Sequence, residues 1–514
     1  MNTKQSEPTL QREVERKLRV GKGYELPDLA EVPGVARVVA DEVRELVAVY
    51  HDTEDLRLFR WGVTLRRREG GPDAGWHMKL PVAGAGDGVR DEVHLPLSAG
   101  AVGVVPPQLS DIVAAFTQGE PLRPVATVAN RRKPFTLFDP QDHPVIEVVL
   151  DNVVVTGGLS EQKRFREVEV EALDPAAVTS GLLGNVADAA QAAGGRPTKD
   201  SKVTSALGSA AAEPPPVSKP TPTPASADVA EFLTAVLATQ CRKALLQDVR
   251  VRRALPDSVH KLRVAFRRIR SALTTYKPLF SAEWASDLRD ELRWAASELG
   301  PFRDTEVLRL RFADDMAAGP SKDQNAAAEV LEYQLDKRMA AAESRARAAL
   351  ASSRYKRLLQ ALELAAISPE LGERAQDLAS EMIPPLVAKR YRKLDRDVAE
   401  LSPSSSAITW HTARKDAKKV RYATQDLIPL LGAPADALAK EFEAVTELLG
   451  DHQDAHVART TLREIASRES GSVGYALGLL GAQQGALELR NRREFLNFWP
   501  TVQASYVKAG LVPK

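Results

Sequence analysis

Glu13, Glu15 and Lys17 in the stretch EVERKLRV alternate with Val14, Arg16 and Leu18. A strand of period two would therefore set two acids and a base along one face. The same habit returns in EVEVEAL, where Glu167, Glu169 and Glu171 share a parity, and in TLRRRE, where Arg66 and Arg68 do. Lys79 in HMKL, Arg90 and Glu92 in RDE, Arg132 in NRRKPF, and Glu147 and Asp151 in IEVVLD extend the set. Buried charges in such number need partners or a ligand. Carboxylates on one wall suit a hard divalent cation such as Mg2+, which takes oxygen ligands octahedrally. Guanidinium and ammonium groups on the other suit phosphate oxygens, arginine in bidentate fashion. A metal with a phosphate chain would satisfy both walls at once. Cross-strand salt bridges on an outer face would give the same alternation in any single strand. Its recurrence in strand after strand favours an inner wall, with Arg16 and Arg67, of opposite parity, as outer-surface charges.

A second constellation lies on helical spacing. In HKLRVAFRRIR, His260, Arg263, Arg267 and Arg270 fall on one side of a helix, while Leu262, Phe266 and Ile269 gather on another. HTARKDAKKVR repeats the offsets with His411, Arg414, Lys418 and Arg421. Like charges so close weaken a bare helix, and a solvated face does not explain why one geometry occurs twice. Cationic neighbours disfavour protonation of the histidines, leaving neutral rings able to hydrogen-bond phosphate. The stripes lack interleaved aromatic residues for base stacking and no recognition-helix motif accompanies them, so a flexible polyanion fits better than a specific nucleic acid.

The elements that must position these residues differ in kind along the chain. Before about residue 208, β-prone segments (VRELVAVYHDT, VTLRRRE, WHMKL, RDEVHLPL, PVATVANRRKPF, PVIEVVLDNVVV, RFREVEVEAL) are separated by turn residues such as REGGPDAG, GAGDG and LFDPQDHP. About eight strands with one polar face suit a barrel with a wet lumen. Residues 209–226, SAAAEPPPVSKPTPTPAS, predict an extended linker with little to bury. Beyond it, long amphipathic stretches rich in Ala, Leu, Arg and Glu predict an all-helical domain. LGPFRDTEV from Leu299 recurs as LGDHQDAHV from Leu449, and the histidine segments repeat at a similar separation. That self-similarity implies a duplicated helical bundle. The expected fold class is α+β: an eight-stranded antiparallel β tunnel (10–208), a linker (209–226), and two duplicated four-helix bundles (227–510).

The 514 residues exceed one hydrophobic core, and a net charge of +1 means that any electropositive site must come from clustering. The one cysteine, Cys241, excludes an internal disulfide framework and a cysteine-rich zinc site. No long apolar run suggests a membrane span, and MNTKQSEPTLQREVERK lacks an apolar signal region, so a soluble, cytoplasmic protein is expected.

EVERKLRV resembles the ExExK opening of the CYTH superfamily, the triphosphate tunnel enzymes. The likeness continues in order through VYHDTEDLRL (Tyr50, Asp52, Thr53, Arg57), VTLRRRE, WHMKLP, RDEVHLPL, IEVVLD, REVEVEAL and SKVTSAL (Ser201, Lys202). The resemblance implies a tunnel that binds a triphosphate end to end with Mg2+ or Mn2+. It implies Glu13, Glu15, Asp151, Glu169 and Glu171 as metal ligands, the register leaving Glu167 as a substitute for either later glutamate. Lys17, Lys79 and Arg66 are implied as catalytic, and Arg57, Arg68, Arg90, Arg132 and Lys202 as substrate contacts. Family members hydrolyse triphosphates, and some are adenylyl cyclases; with no adenine pocket legible, hydrolysis is favoured. The helical half resembles the CHAD domain over about 227–510, which implies a basic channel for inorganic polyphosphate lined by the two stripes. Arg303, His452 and Lys389 or Arg390 are further candidates, and Asp416 and DHQD suggest a less basic second half. A polyphosphate-binding protein without turnover, targeted to polyphosphate granules, is the opposing class.

Overall fold

Residues 9–82, 84, 89–157, 162–207, 210, 213–317 and 322–510 are described by the computed structural model. The opening residues 1–8, most of the GAGDG turn, and Ser209, Ala211 and Ala212 of the expected linker lie outside the described residues. The strands are β1 (Thr9–Val20), β2 (Arg37–Ala40), β3 (Arg44–Asp52), β4 (Thr64–Glu69), β5 (Gly75–Pro81), β6 (Val89–Pro96), β7 (Arg123–Phe138), β8 (Pro144–Thr156), β9 (Lys163–Ala172) and β10 (Arg196–Pro197).

One strand closes the sheet by pairing twice. The first half of β1 runs antiparallel to β6, with Glu13 opposite Arg90, and its second half to β9, with Glu15 opposite Glu171 and Lys17 opposite Glu169. The order β1-β6-β5-β4-β3-β7-β8-β9 thereby returns to β1 as a closed eight-stranded antiparallel barrel, with β2 flanking β7 and β10 flanking β1. The barrel is apolar outside and charged inside. Val168 and Val170 point outward beside Ile146 and Val148, and Val186, Ala190 and Leu183 of the helix Leu182–Ala192 cover them. Glu167, Glu169 and Asp151 are buried on the other side of the same strands. Gly75 is needed on β5, because a Cβ there would collide with the His94 ring and the Leu95 carbonyl oxygen.

The chain divides into two compact units, Met1–Pro216 and Val217–Lys514. The boundary falls inside the proline-rich stretch, whose second half is not a free tether. Val217 is buried, Arg242 donates to its carbonyl, and Pro220–Thr223 line a groove with Phe232 and Lys243. The stretch does have an apolar residue to bury, and it anchors the chain on the helices.

The helices of the second unit are α1 (Val229–Arg252), α2 (Ser258–Thr275), α3 (Ala282–Glu298), α4 (Gly300–Ala317), α5 (Lys322–Ala351), α6 (Ser353–Ile367), α7 (Ala379–Ala399), α8 (Ala407–Asp426), α9 (Ala433–Ala466) and α10 (Gly471–Lys508). Asp228 and Glu231 form a capping box that starts α1. α1, α2, α3 and α6 pack as one bundle, and α7–α10 as the other. Tyr391 of α7 stacks on Tyr506 and Trp499 of α10. A further core, with Leu308, Phe312, Leu331, Leu462 and Leu477, joins α4 and α5 to the far ends of α9 and α10. The duplication is not exact in its helix breaks. Pro301 in LGPFRD begins a new helix, since proline removes a donor and clashes with the preceding turn; LGDHQD lies within the unbroken α9.

Candidate functional site

Inside the barrel, two charge clusters differ in how well they are balanced. In the first, Lys202 reaches Asp151 at 3.0 Å and Glu167 and Glu169 at 2.7 Å. Arg132 donates to Asp151 (2.8 Å) and Glu169 (2.7 Å), and Lys17 lies 3.0 Å from Glu15 and 3.3 Å from Glu169. Burial works against the charge of Glu169, but Lys202, Lys17 and Arg132 outweigh it and hold the carboxyl well below its ordinary range. One oxygen from each of Asp151, Glu167 and Glu169 lies within 4.8 Å of the others, a triad that could hold a metal ion.

The second cluster is short of positive charge. Glu13 is 2.5 Å from Lys79, yet burial, with Glu92 and Glu171 nearby, pushes its carboxyl up to about 8. Glu171 is pushed up to about 7 by burial, with Glu15, Glu169 and Glu147 adding to it against Lys79. Around the wall, Arg68 is short of negative charge, whereas, against burial, Tyr50 and Glu92 hold Arg66 above the usual arginine range. Burial, then Arg66 and Arg132, pulls the Arg68 guanidinium down to about 9, and the Nε atoms of Arg66 and Arg68 are buried without a hydrogen-bond partner. Arg68 also pairs with Asp73, and Arg66 donates to the Tyr50 hydroxyl at 3.4 Å.

Loops and turns deliver the other expected contacts. Asp52 accepts from Leu58 N and Phe59 N at 2.9 Å, fixing the short helix Arg57–Arg60; Arg57 donates to the Phe116 carbonyl (2.7 Å) and lies 3.7 Å from Asp55. Arg90 donates to the Gly62 carbonyl at 2.9 Å. Lys202 enters from the turn ahead of the helix Thr204–Leu207, where Ser201 and Thr204 share a 2.9 Å hydrogen bond.

In the helical unit, α2 and α8 pack against each other, Arg267 Nε donating to the Tyr422 hydroxyl at 2.9 Å. His260, Arg263 and Arg267 of α2 and His411, Arg414 and Lys418 of α8 line one cavity of about 340 Å3, together with Arg303, Asp304, Gln453 and Asp454. Lys418 is pushed down to about 6 by burial and by Arg267 and Arg414; His260 is pushed down to about 4 by burial and Arg303. His411 Nδ1 donates to Gln453 at 2.8 Å.

Residues 11–184 match the CYTH domain family and residues 235–463 the CHAD domain family. A Mycobacterium tuberculosis (strain H37Rv) protein, Uncharacterized protein Rv2226, is 32% identical over 513 residues, 95% of each chain. The chain belongs to the CYTH–CHAD proteins. Among solved structures it is similar to PptA from Streptomyces chartreusis (23% identity, TM-score 0.47, 53% of this chain and 100% of that one). It is also similar to the CHAD domain of the plant Ricinus communis (27% identity, TM-score 0.42, 54% of this chain and 94% of that one). CYTH domains are metal-dependent and act on triphosphates, and family members are often triphosphatases or cyclases. No helix among the described residues is long and apolar enough to cross a membrane.

Not every expected residue meets the rest. Arg270 and Arg421 lie beyond the CHAD cavity lining, Arg421 held by Glu443 and Thr446. His452 turns into the second bundle against Trp410 and accepts from Arg492 at 3.0 Å. Lys389 is exposed, and Arg390 donates to the Thr274 carbonyl. Asp416 faces Lys393 (2.5 Å) and Lys419 (2.7 Å), so its presence does not discharge the cavity. Sequence reasoning passed over His77, which bridges Glu92 (3.0 Å) and the Asp73 carbonyl (2.9 Å) in the tunnel; its parity with Lys79 was the available signal. Asp304 and Asp454 were missed as cavity acids although they occupy equivalent places in the two LG segments.

Proposed function

We propose that the CYTH tunnel hydrolyses inorganic triphosphate, or a closely related triphosphate, with Mg2+ or Mn2+, and that the CHAD cavity binds inorganic polyphosphate. The observation that carries the first half is the opposite imbalance within one lumen. Glu13 and Glu171 share the one cation Lys79 and are still pushed up by burial and neighbouring carboxylates, while Arg66 and Arg68 have buried Nε atoms that lack acceptors. A hard divalent cation fits the first set and phosphate oxygens the second. Glu13, Glu15 and Glu171 would hold the ion, with Asp151 and Glu169 available at the Lys202 end. Such an ion supplies neutralisation of phosphate oxygens and an acidified water. The chain's own part is positional and electrostatic. Lys17, Lys79 and Lys202 keep the acid wall in place, and Arg66, Arg68 and Arg132 face charge that grows on phosphate oxygens as the bond breaks. Phosphate release from triphosphate, longer polyphosphate and ATP, with each metal and with chelator, tests this reading. Metal-dependent release from triphosphate is expected; no turnover of any of them would leave a sensor, and cyclic AMP from ATP would make the tunnel a cyclase.

The CHAD half rests on cations held away from their ordinary charge by crowding, which a polyanion relieves. It predicts a pH dependence. In the free cavity Lys418 titrates near 6 instead of near 10.5, so it is largely uncharged between those values. A phosphate chain favours the charged form and raises that pKa. Binding therefore takes up a proton in this window, and polyphosphate affinity should rise as pH falls toward 6. Calorimetry in buffers of different ionisation enthalpy should read the uptake, and Lys418→Met should remove most of it. Because the two units are covalently joined, polyphosphate held by the CHAD unit raises the local concentration of phosphate chains for the tunnel. On this reading the protein works in the cytoplasm, at polyphosphate granules.

A further inference from the structure

The two halves of the CHAD unit match at the stripe positions that line the cavity but are opposite in charge just beyond it. Arg270 and Arg421 hold equivalent places in α2 and α8, three residues past Arg267 and Lys418. Arg293 of α3 and Glu443 of α9 are likewise equivalent, each six residues ahead of its LG segment at Leu299 or Leu449. In the second copy Glu443 pairs with Arg421 and discharges it. In the first copy the same position carries another arginine, and Ala439 is matched by Arg289.

The consequence is a run of guanidinium groups where α2 packs on α3. Arg270 is held below the usual arginine range by burial and by the charges of Arg293, Arg289 and Arg267. The Nε atoms of Arg270 and Arg289 are buried without a hydrogen-bond partner, and no carboxylate among the described residues lies within 4.0 Å of Arg267 or Arg270. Asp290 offsets part of the cluster, 2.8 Å from Arg293 and 3.9 Å from Arg289. Arg267 lines the cavity itself, and Arg270 stands about one helical turn, roughly 5 Å, further along the axis. The run is therefore continuous with the cavity on one side only.

We infer that the phosphate path of the CHAD cavity continues past Arg267 over Arg270, Arg289 and Arg293 and is closed on the side of the second bundle by the Arg421–Glu443 pair, so that a long polyphosphate leaves the cavity over the first bundle. The inference rests on the polyphosphate reading of the cavity and adds a direction and a length preference to it. Chains too short to pass Arg267 gain nothing from the run, whereas longer ones gain each contact.

The test is binding of long-chain polyphosphate to the full-length protein across a salt series. Arg289→Gln with Arg293→Gln should weaken binding roughly tenfold and flatten the slope of log affinity against log salt by about 1.4 units, as two lost phosphate contacts would on a single strand. Triphosphate hydrolysis should not change. Glu443→Gln, which frees Arg421, should strengthen binding. If Arg267→Gln with Lys418→Gln loses binding while the Arg289 and Arg293 double variant does not, the cavity reading stands and the run is wrong. If neither pair matters, the cavity reading itself fails and takes the run with it. Weakening by Glu443→Gln, or an equal loss from the exposed Lys261→Gln, would make the attraction diffuse and overturn the path.

Discussion

Replacing Glu13 and Glu15 together by glutamine should lower metal-dependent phosphate release from triphosphate by about a thousandfold or more, because the acid wall is then unable to hold the cation that the chemistry needs. Glutamine keeps the shape and removes the charge. The fold should tolerate the change for reasons specific to this lumen. Glu13 already titrates near 8, so near neutrality in the metal-free protein a neutral side chain there resembles what the structure holds. Lys17 keeps Glu169 at 3.3 Å after Glu15 is neutralised. Lys79 keeps the field of Glu92, whose own carboxyl is held below its ordinary range despite burial by His77 and Lys79. Circular dichroism and the melting temperature in chelator should therefore stay close to those of the unmodified protein while activity disappears. Activity within a few-fold of the original, at any metal concentration, would remove Glu13 and Glu15 from the set of metal ligands.

The contrast with Lys202 shows why the acid wall is not uniform. Lys202 sits among Asp151, Glu167 and Glu169, and neutralising it would strand buried carboxylates. The tightest carboxylate cluster is thus the best neutralised by side chains, and the looser set around Glu13 and Glu171 has the greater need of a cation.

Period-two alternation was enough to separate the inner from the outer residues of β1 and β9, since a one-residue slip would expose Leu18, Val168 and Val170 and bury Arg16. It was not enough to rank Glu167, Glu169 and Glu171. That needed the register, in which Asp151 faces Glu167 and Lys17 faces Glu169. Nor could it place Lys202, which comes back to the lumen after two helices, Pro175–Thr179 and Leu182–Ala192, and the short β10. The duplicated histidine helices were legible because both stripes recur at identical offsets. Their partners were less so. Arg268 reads from a helical wheel as an outer-face charge, but α2 packs on α8, and Arg268 lies over the Tyr422 ring and donates to Gln425 at 2.6 Å. A helix has as many faces as it has neighbours, and one sequence reveals only the face with the strongest pattern.

The second large effect belongs to the two stripes themselves. Neutralising Arg263 and Arg267 on α2, or Arg414 and Lys418 on α8, should each weaken binding of long polyphosphate by roughly a hundredfold at moderate salt and flatten its salt dependence. The two results should be of similar size, because both stripes line the same cavity. Either change removes two of the basic side chains that a bound polyanion would meet and leaves Asp304 and Asp454 behind. The α2 change takes the partner of Asp304, 3.3 Å from Arg263, and the α8 change that of Asp454, 4.0 Å from Arg414, so each leaves the cavity much less attractive to a polyanion. Triphosphate hydrolysis, carried by the other unit, should be unchanged. The control is Lys261, exposed and 3.4 Å from Asp257, while Arg268 is unsuitable because its loss would disturb the α2–α8 contact. If the α2 variant loses binding and the α8 variant does not, the polyanion uses one helix rather than the cavity between two, and the duplication does not serve to build a two-sided phosphate site.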